Sequence, residues 1–162
     1  EHMIDEYLAF AQGEAGEAAQ TVTVADLLNT AAADARRAGV EAEVVVPDDL
    51  TATVRPMAFK RALTNLAGNA AAHGEHVRLS ARPLASGGLE VVIEDDGPGI
   101  PPDMYEEAFR PFSRLDPARN QNRKGVGLGL AIARDVARGH GGDITLDRSD
   151  MGGLRAMIRL PG

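Results

Sequence analysis

The 162-residue sequence has no cysteine and no tryptophan, and only 4% of it is aromatic. Without cysteine there is no disulfide framework and no thiolate metal site, and the redox compartment stays open on this count. No apolar run approaches the ~18 residues of a membrane-spanning helix. The acidic N-terminus lacks the basic-then-apolar order of a signal peptide. Basic residues are the minority: 17 Lys and Arg stand against 24 Asp and Glu, a net charge of −7. That balance argues against general nucleic-acid binding, which rests on clustered Lys and Arg. A Walker-type Gly-Lys-Ser/Thr is also missing. What remains is ordinary for a soluble globular domain: 44% hydrophobic and 25% charged. A chain of this size hides roughly 70% of its unfolded surface, enough for one real core.

Residues 1–17 and 18–162 read as separate parts. Glu1-His2-Met3 reads as a cloning remnant, which makes the chain a piece of something longer. Ile4, Leu8 and Ala11, with Tyr7 and Phe10 beside them, form a short helical stripe, and a polar, Gly-containing linker follows to Glu17. Beyond it, the patterns predict strands at 21–24, 43–46 and 51–54 and helices at 25–38 and 56–73. A hairpin of 77–82 with 89–94 turns at Ser86-Gly87-Gly88, and a short helix spans 102–109. Residues 113–126 are polar and aperiodic and read as a mobile loop. A helix over 128–138 and two alternating strands joined at 149–153 complete the chain. This order fits an α+β two-layer sandwich with a mixed, mostly antiparallel sheet, not a doubly wound parallel fold.

Three segments carry chemistry. Arg61, Asn65, Asn69 and His73 are spaced by four and share one helix face. Two Asn inside an Ala-rich helix are unfavourable by propensity, so a ligand-facing row explains them better than a solvated face. Next, an apolar strand runs into Glu94-Asp95-Asp96-Gly97-Pro98-Gly99-Ile100. It delivers a carboxylate into a turn whose glycines allow close approach; the bland alternative is a plain acidic loop. Third, Gly125-Val126-Gly127-Leu128-Gly129-Leu130 opens a helix, where exposed N–H groups and the helix dipole favour an anion. Its spacing is not that of a dinucleotide fingerprint. Residues 110–124 carry a net +4 inside an acidic chain, from Arg110, Arg114, Arg119, Arg123 and Lys124 against Asp116. A basic loop beside a Gly-rich helix start suits a polyphosphate.

Together these segments resemble the nucleotide-binding catalytic domain of sensor histidine kinases, the GHKL or Bergerat type. Asn65–Ala70 resembles the N box, Asp95–Ile100 the G1 box, Phe109–Arg114 the F box and Gly125–Leu130 the G2 box. Ile4–Glu17 more weakly resembles the tail of the dimerisation and phosphoacceptor helix of EnvZ-like kinases. The resemblance implies a sheet packed on three helices with an ATP lid, and ATP and Mg²⁺ as ligands. It implies that Asp95 binds the adenine amine, with Gly97, Gly99 and Ile100 shaping the base pocket. Asn69 would hold Mg²⁺. Asn65, Arg61 and Lys60 would lie near the phosphates and His73 beside the nucleotide. Gly125, Val126, Gly127, Leu128, Gly129 and Leu130 would form the lid edge and helix start. Arg114 and Lys124 would be mobile cations, and Phe109 and Phe112 lid anchors.

The family's ATPase and serine-kinase branches place a Glu four residues before the N-box Asn as general base. Here that position is Asn65, which cannot take a proton at neutral pH. None of His2, His73, His76 or His140 has the acidic, bundle-helix context of a phosphoacceptor. The expectation is therefore a kinase domain with no catalytic acceptor of its own. It would be monomeric as a fragment and donate the γ-phosphate to a His on a dimerisation domain of a homodimeric parent. The implied partners are that domain and a cognate response regulator, not nucleic acid. The implied location is the cytoplasmic side of an inner-membrane receptor. The alternative is a degenerate nucleotide-binding module that regulates without phosphotransfer.

Overall fold

The structure, a computed structural model, describes residues 17–110 and 129–161. In chain order its elements are β1 (Gln20–Thr23), α1 (Val24–Arg37), β2 (Glu41–Val45), β3 (Thr51–Val54) and α2 (Pro56–His73). There follow β4 (His76–Pro83), β5 (Leu89–Asp95), a 3₁₀ turn at Pro102–Met104, α3 (Tyr105–Ala108), α4 (Gly129–Gly139), β6 (Asp143–Arg148) and β7 (Leu154–Leu160). The 102–109 segment is thus a 3₁₀ turn running into one α-helical turn, not a single helix. Pro101 and Pro102 supply no N–H to a longer ladder.

A five-stranded sheet has the order β2-β4-β5-β7-β6. Only β2 with β4 is parallel; the other three pairings are antiparallel. The parallel pair is possible because α2 lies between its strands in sequence, together with the β3 connection. β1 and β3 do not join this sheet but pair with each other, Gln20 opposite Val54 through Thr23 opposite Thr51. Both hairpins expected from sequence form: Pro83 pairs with Leu89, and Arg148 with Leu154.

One sheet face is covered by α1, α2 and α4. Leu28, Ala31, Phe59, Leu63, Leu66, Ile132 and Val136 from these helices meet Val77, Leu79, Val91, Ile93, Ile144 and Ile158 from the sheet. The helices supply Ala-rich apolar stripes at helical spacing, whose small side chains let them approach the strands closely. Both rings of Phe59 and His140 sit at the α2–α4 seam, 5.8 Å apart and edge-on. The imidazole accepts the Arg55 N–H on Nε2 at 3.0 Å and lies 2.7 Å from the Val136 carbonyl through Nδ1. With Nε2 accepting, the proton belongs on Nδ1. The turn histidine is therefore a strut between the start of α2 and the end of α4.

Helix α2 has no side-chain cap of its own at Arg55 and no acid in its first turn. Glu17 fills that role from outside: its carboxylate accepts the Met57 N–H at 2.7 Å and the Ala58 N–H at 3.0 Å. These are two of the donors a helix start leaves unpaired. The residue read as the last of the linker is thus fastened to the helix that carries the Asn row.

Candidate functional site

β5 decides where the first site residue lies. Its seven residues are all buried, which alternation alone would not produce. Leu89, Val91, Ile93 and Asp95 share one side by strand period, and the first three join the helix-covered core. Asp95 is therefore a carboxylate at the end of an apolar row, only 3% exposed. Its Oδ1 accepts the Gly97 N–H at 2.9 Å and the Leu154 N–H at 3.3 Å. Its carbonyl accepts the Gly153 N–H at 3.1 Å. Charged hydrogen bonds of this kind fix an otherwise costly buried carboxylate.

Two glycines make this packing possible. A Cβ on Gly97 would run into the His73 carbonyl, and one on Gly153 into Asp95 and the Gly97 nitrogen. Gly99, with φ of 73°, leads the chain past the Gly153 backbone. Ile100 then packs partly buried against the core. Asp96, the next residue, faces elsewhere. Its Oδ1 accepts the Glu75 N–H at 2.8 Å and the His76 N–H at 3.1 Å, and its Oδ2 lies 2.7 Å from His76 Nδ1. The bond from the His76 ring, then the backbone donors, hold the Asp96 pKa down at about 2. The same bond to Asp96 raises the pKa of His76, whose other ring nitrogen lies 3.4 Å from Glu41 Oε1.

The α2 row is where the sequence put it. Arg61, Asn65, Asn69 and His73 are all half-buried, while Ala62, Leu63, Leu66, Ala67 and Ala70 are fully packed. Asn65 Nδ2 is a buried donor with no partner among the described residues. A buried amide left so is costly, and at a site rim it marks a place for an acceptor. The start of α4 is its neighbour: a methyl group on Gly129 would stand 3.7 Å from the Asn65 carbonyl and 3.8 Å from its Cβ. The Asn row and the Gly-rich helix start thus meet. The His73 carbonyl against Gly97 joins the end of the same row to the Asp95 turn.

Two expected residues have side chains turned away from this meeting point. Lys60 is exposed and sits about 140° around the helix from Asn65. Leu130 is 8% exposed, and its side chain belongs to the core. Arg114, Lys124, Gly125, Val126, Gly127 and Leu128 lie outside the described residues, as does Phe112. The anchoring of Asp95 by Gly153 and Leu154 was missed by sequence reasoning. They lie 58 and 59 positions further on, and a Gly-Gly turn carries no sign of the carboxylate it supports.

These residues suit an adenine nucleotide. A fixed carboxylate accepts from an exocyclic amine, and an orphaned amide donor beside a helix start suits phosphate. Among the described residues no cluster of three His, Asp or Glu could hold a metal alone. A hard cation here would take an amide oxygen and complete its shell with phosphates and water.

The family model of histidine kinase-, DNA gyrase B- and HSP90-like ATPases matches residues 54–162. The chain is 47% identical over 109 residues to the sensor histidine kinase GtrS of Pseudomonas aeruginosa, covering 66% of this chain and 22% of that protein. It is 32% identical over 167 residues to the sensor histidine kinase CpxA of Escherichia coli, covering 98% of this chain and 36% of that one. The crystal structure of the ATP-binding domain of PrrB from Mycobacterium tuberculosis superposes with a TM-score of 0.68 at 32% identity. That match covers 89% of this chain and 97% of the other. The chain spans well under half the length of the curated relatives it matches. Four boxes in order, the Asp95 turn beside the Asn row and these likenesses agree: the chain belongs to the histidine kinase-, DNA gyrase B- and HSP90-like ATPase family, as an ATP-binding domain of the sensor histidine kinase type.

Proposed function

We propose that this domain binds Mg²⁺-ATP and presents its γ-phosphate to a histidine on a separate dimerisation and phosphoacceptor domain of a parent kinase. The phosphoryl group would then pass to a response regulator. The observation that carries the reading is the placement of two polar groups at one rim. One is a buried, backbone-anchored carboxylate; the other is the Asn65 amide donor on α2, unpartnered among the described residues and packed against the start of α4.

Asp95 accepts the adenine amine, which guanine, with a carbonyl there, cannot donate. The turn through Gly97, Gly99 and Ile100 walls the base, and His73 flanks it. Asn65 donates its amide to phosphate, with Arg61 supplying charge. Asn69 offers its amide oxygen to Mg²⁺, which neutralises the phosphates when bound. The N–H groups at the start of α4 face the polyphosphate. Arg114 and Lys124, with Gly125 to Leu128, lie outside the described residues and are assigned to the phosphates by their family motifs. Lys60 and the side chain of Leu130 have no part in this arrangement.

The acceptor lies elsewhere. His140 has both ring nitrogens hydrogen-bonded, and His76 is bound to Asp96. Water is poorly activated because Asn65 occupies the position of a general base. No described helix is long and apolar enough to cross a membrane. The domain works on the cytoplasmic side of an inner-membrane parent that dimerises through other helices.

The test is calorimetric titration with a non-hydrolysable ATP analogue, with and without Mg²⁺, followed by phosphotransfer to an acceptor bundle supplied in trans. Mg²⁺-dependent binding and slow labelling of the bundle's histidine are expected, with hydrolysis near background. Binding without transfer would favour the regulatory alternative, and brisk hydrolysis an ATPase.

A further inference from the structure

Arg134 lies on α4, away from the Asn65 contact, and is only 16% exposed. Its two terminal nitrogens donate to Glu106, to Oε1 at 3.2 Å and Oε2 at 3.4 Å. Its Nε donates to Asp143 Oδ1 at 3.4 Å. The guanidinium carbon stands 4.0 Å from the centre of the Phe109 ring. One side chain therefore commits its fork, its Nε–H and its flat face to three different residues.

A plain surface ion pair contributes little and needs no such construction. What distinguishes this one is the pair of elements it joins. Glu106 and Phe109 belong to α3 and its C-terminal cap, which follow the Gly97–Pro101 turn beyond Asp95 through the 3₁₀ turn at Pro102–Met104. Arg134 sits about 7.5 Å along α4 from Gly129, the residue packed against Asn65. The brace ties the adenine end of the site to its phosphate end. Asp143, which also takes Arg138 at 3.3 Å, ties both to β6.

We propose that Arg134 is a positioning residue for the nucleotide: by bracing α3 on α4 it sets the spacing between the Asp95 turn and the Gly129–Asn65 contact. The proposal rests on the nucleotide reading above. It predicts a selective effect. A ligand that spans both ends feels the spacing; one that occupies only the adenine end does not.

The experiment compares wild type, Arg134→Ala, Arg134→Lys and Glu106→Gln for binding of a non-hydrolysable ATP analogue with Mg²⁺ and of adenosine, with thermal unfolding alongside. Arg134→Ala should lose about tenfold in affinity for the ATP analogue and less than twofold for adenosine. Arg134→Lys keeps the charge but not the fork or the stacking face, so it should fall between. Unchanged affinity for the analogue, or equal losses for both ligands, would overturn the proposal. If Arg134→Ala does not fold, Glu106→Gln decides. Its carboxylate is 82% exposed, and a roughly twofold loss confined to the analogue supports the brace, whereas no loss sinks it. Wild type that binds neither ligand would remove the nucleotide reading, and this inference with it. Wild type that binds while the variants match it would remove this inference alone.

Discussion

On the helix-covered face of the sheet, Leu79, Val91, Ile93 and Ile158 pack against α1, α2 and α4. On the opposite face the same strands present crosswise rows of charge. Arg82, Glu90 and Arg159 are register partners across β4, β5 and β7. Both arginines donate to Glu90, each at 2.8 Å, one to each oxygen. Four positions on, Arg78, Glu94 and Arg155 repeat the order, and Ser149 Oγ donates to Glu94 at 2.8 Å. Val92 between them is buried under these rows. Strand β5 thus carries two deeply buried carboxylates, Glu90 and Asp95, on opposite faces. Glu90 has both oxygens taken by arginine, so its site is closed, a device that keeps a sheet face with no described helix on it compatible with water. Asp95 is fixed by backbone N–H groups at the rim of the apolar face, next to the Asn row. Burial of a carboxylate does not mark function; the kind of partner that compensates it does.

The largest break in this comparison is Ile93→Ala. It should cost about 2–5 kcal/mol in urea unfolding, because it opens a cavity between sheet and helices. Met157→Ala on the other face, half-buried beside Val92, should cost clearly less. Next in size is Asp95→Asn. Losing a charged hydrogen bond is worth about 1.5–3 kcal/mol, so affinity for the ATP analogue should fall roughly tenfold or more. Retained affinity would remove Asp95 from the site. Glu90→Gln is the sharpening control. It should lower stability by about 1–2 kcal/mol, a charged-hydrogen-bond loss discounted because its arginines are largely exposed. Nucleotide affinity should stay at the wild-type value. Asn69→Ala should leave stability within about 0.5 kcal/mol. Its signature is loss of the Mg²⁺ dependence of binding, read by titration with and without the metal.

Much of the fold was legible because its elements obey local rules. The Ala-rich stripes of α1, α2 and α4, the Ser86–Gly88 turn and Pro47 after β2 all mark boundaries within a residue or two. The Asn row was legible for the same reason: spacing by four survives into any helix. What escaped depends on long-range pairing. Nothing near Glu17 shows that it caps a helix 40 residues away, and nothing near Arg134 shows Glu106. The β1–β3 pair was read as strands, but a four-residue strand does not reveal which sheet it joins. β5 was read correctly as buried, yet the compensation of Glu90 comes from arginines on β4 and β7 and that of Glu94 from Ser149. Lys60 was placed near the phosphates by resemblance, and helix period sets it about 140° around α2 from Asn65.

The smallest expected effect tests the pair Asp96–His76, the counterpart of Asp95 one residue on. Asp96 has its pKa lowered from 3.8 to about 2 by the His76 ring and backbone bonds. Its contribution is therefore present above the unfolded value and is lost as pH falls through about 2. His76 has its pKa raised above 6.5 by the same contact. Its contribution is fully present below 6.5 and is lost as pH rises through the folded value. The pair stabilises most between about pH 4 and 6.5, where both partners are charged. The acid limb is shared with Glu90 and Asp143. Burial pushes both upward, but arginines (and, for Asp143, the Ile144 N–H) outweigh it, and both end below their ordinary values. On the alkaline limb the pair's contribution is carried by His76. Unfolding free energy measured from pH 6 to 8 should therefore decline slightly more in wild type than in His76→Asn, which cannot be protonated. The effect is small because the imidazole is exposed and screened. A decline that persists unchanged in His76→Asn would place its source outside the pair, and Asp96 would then act through its two backbone bonds alone.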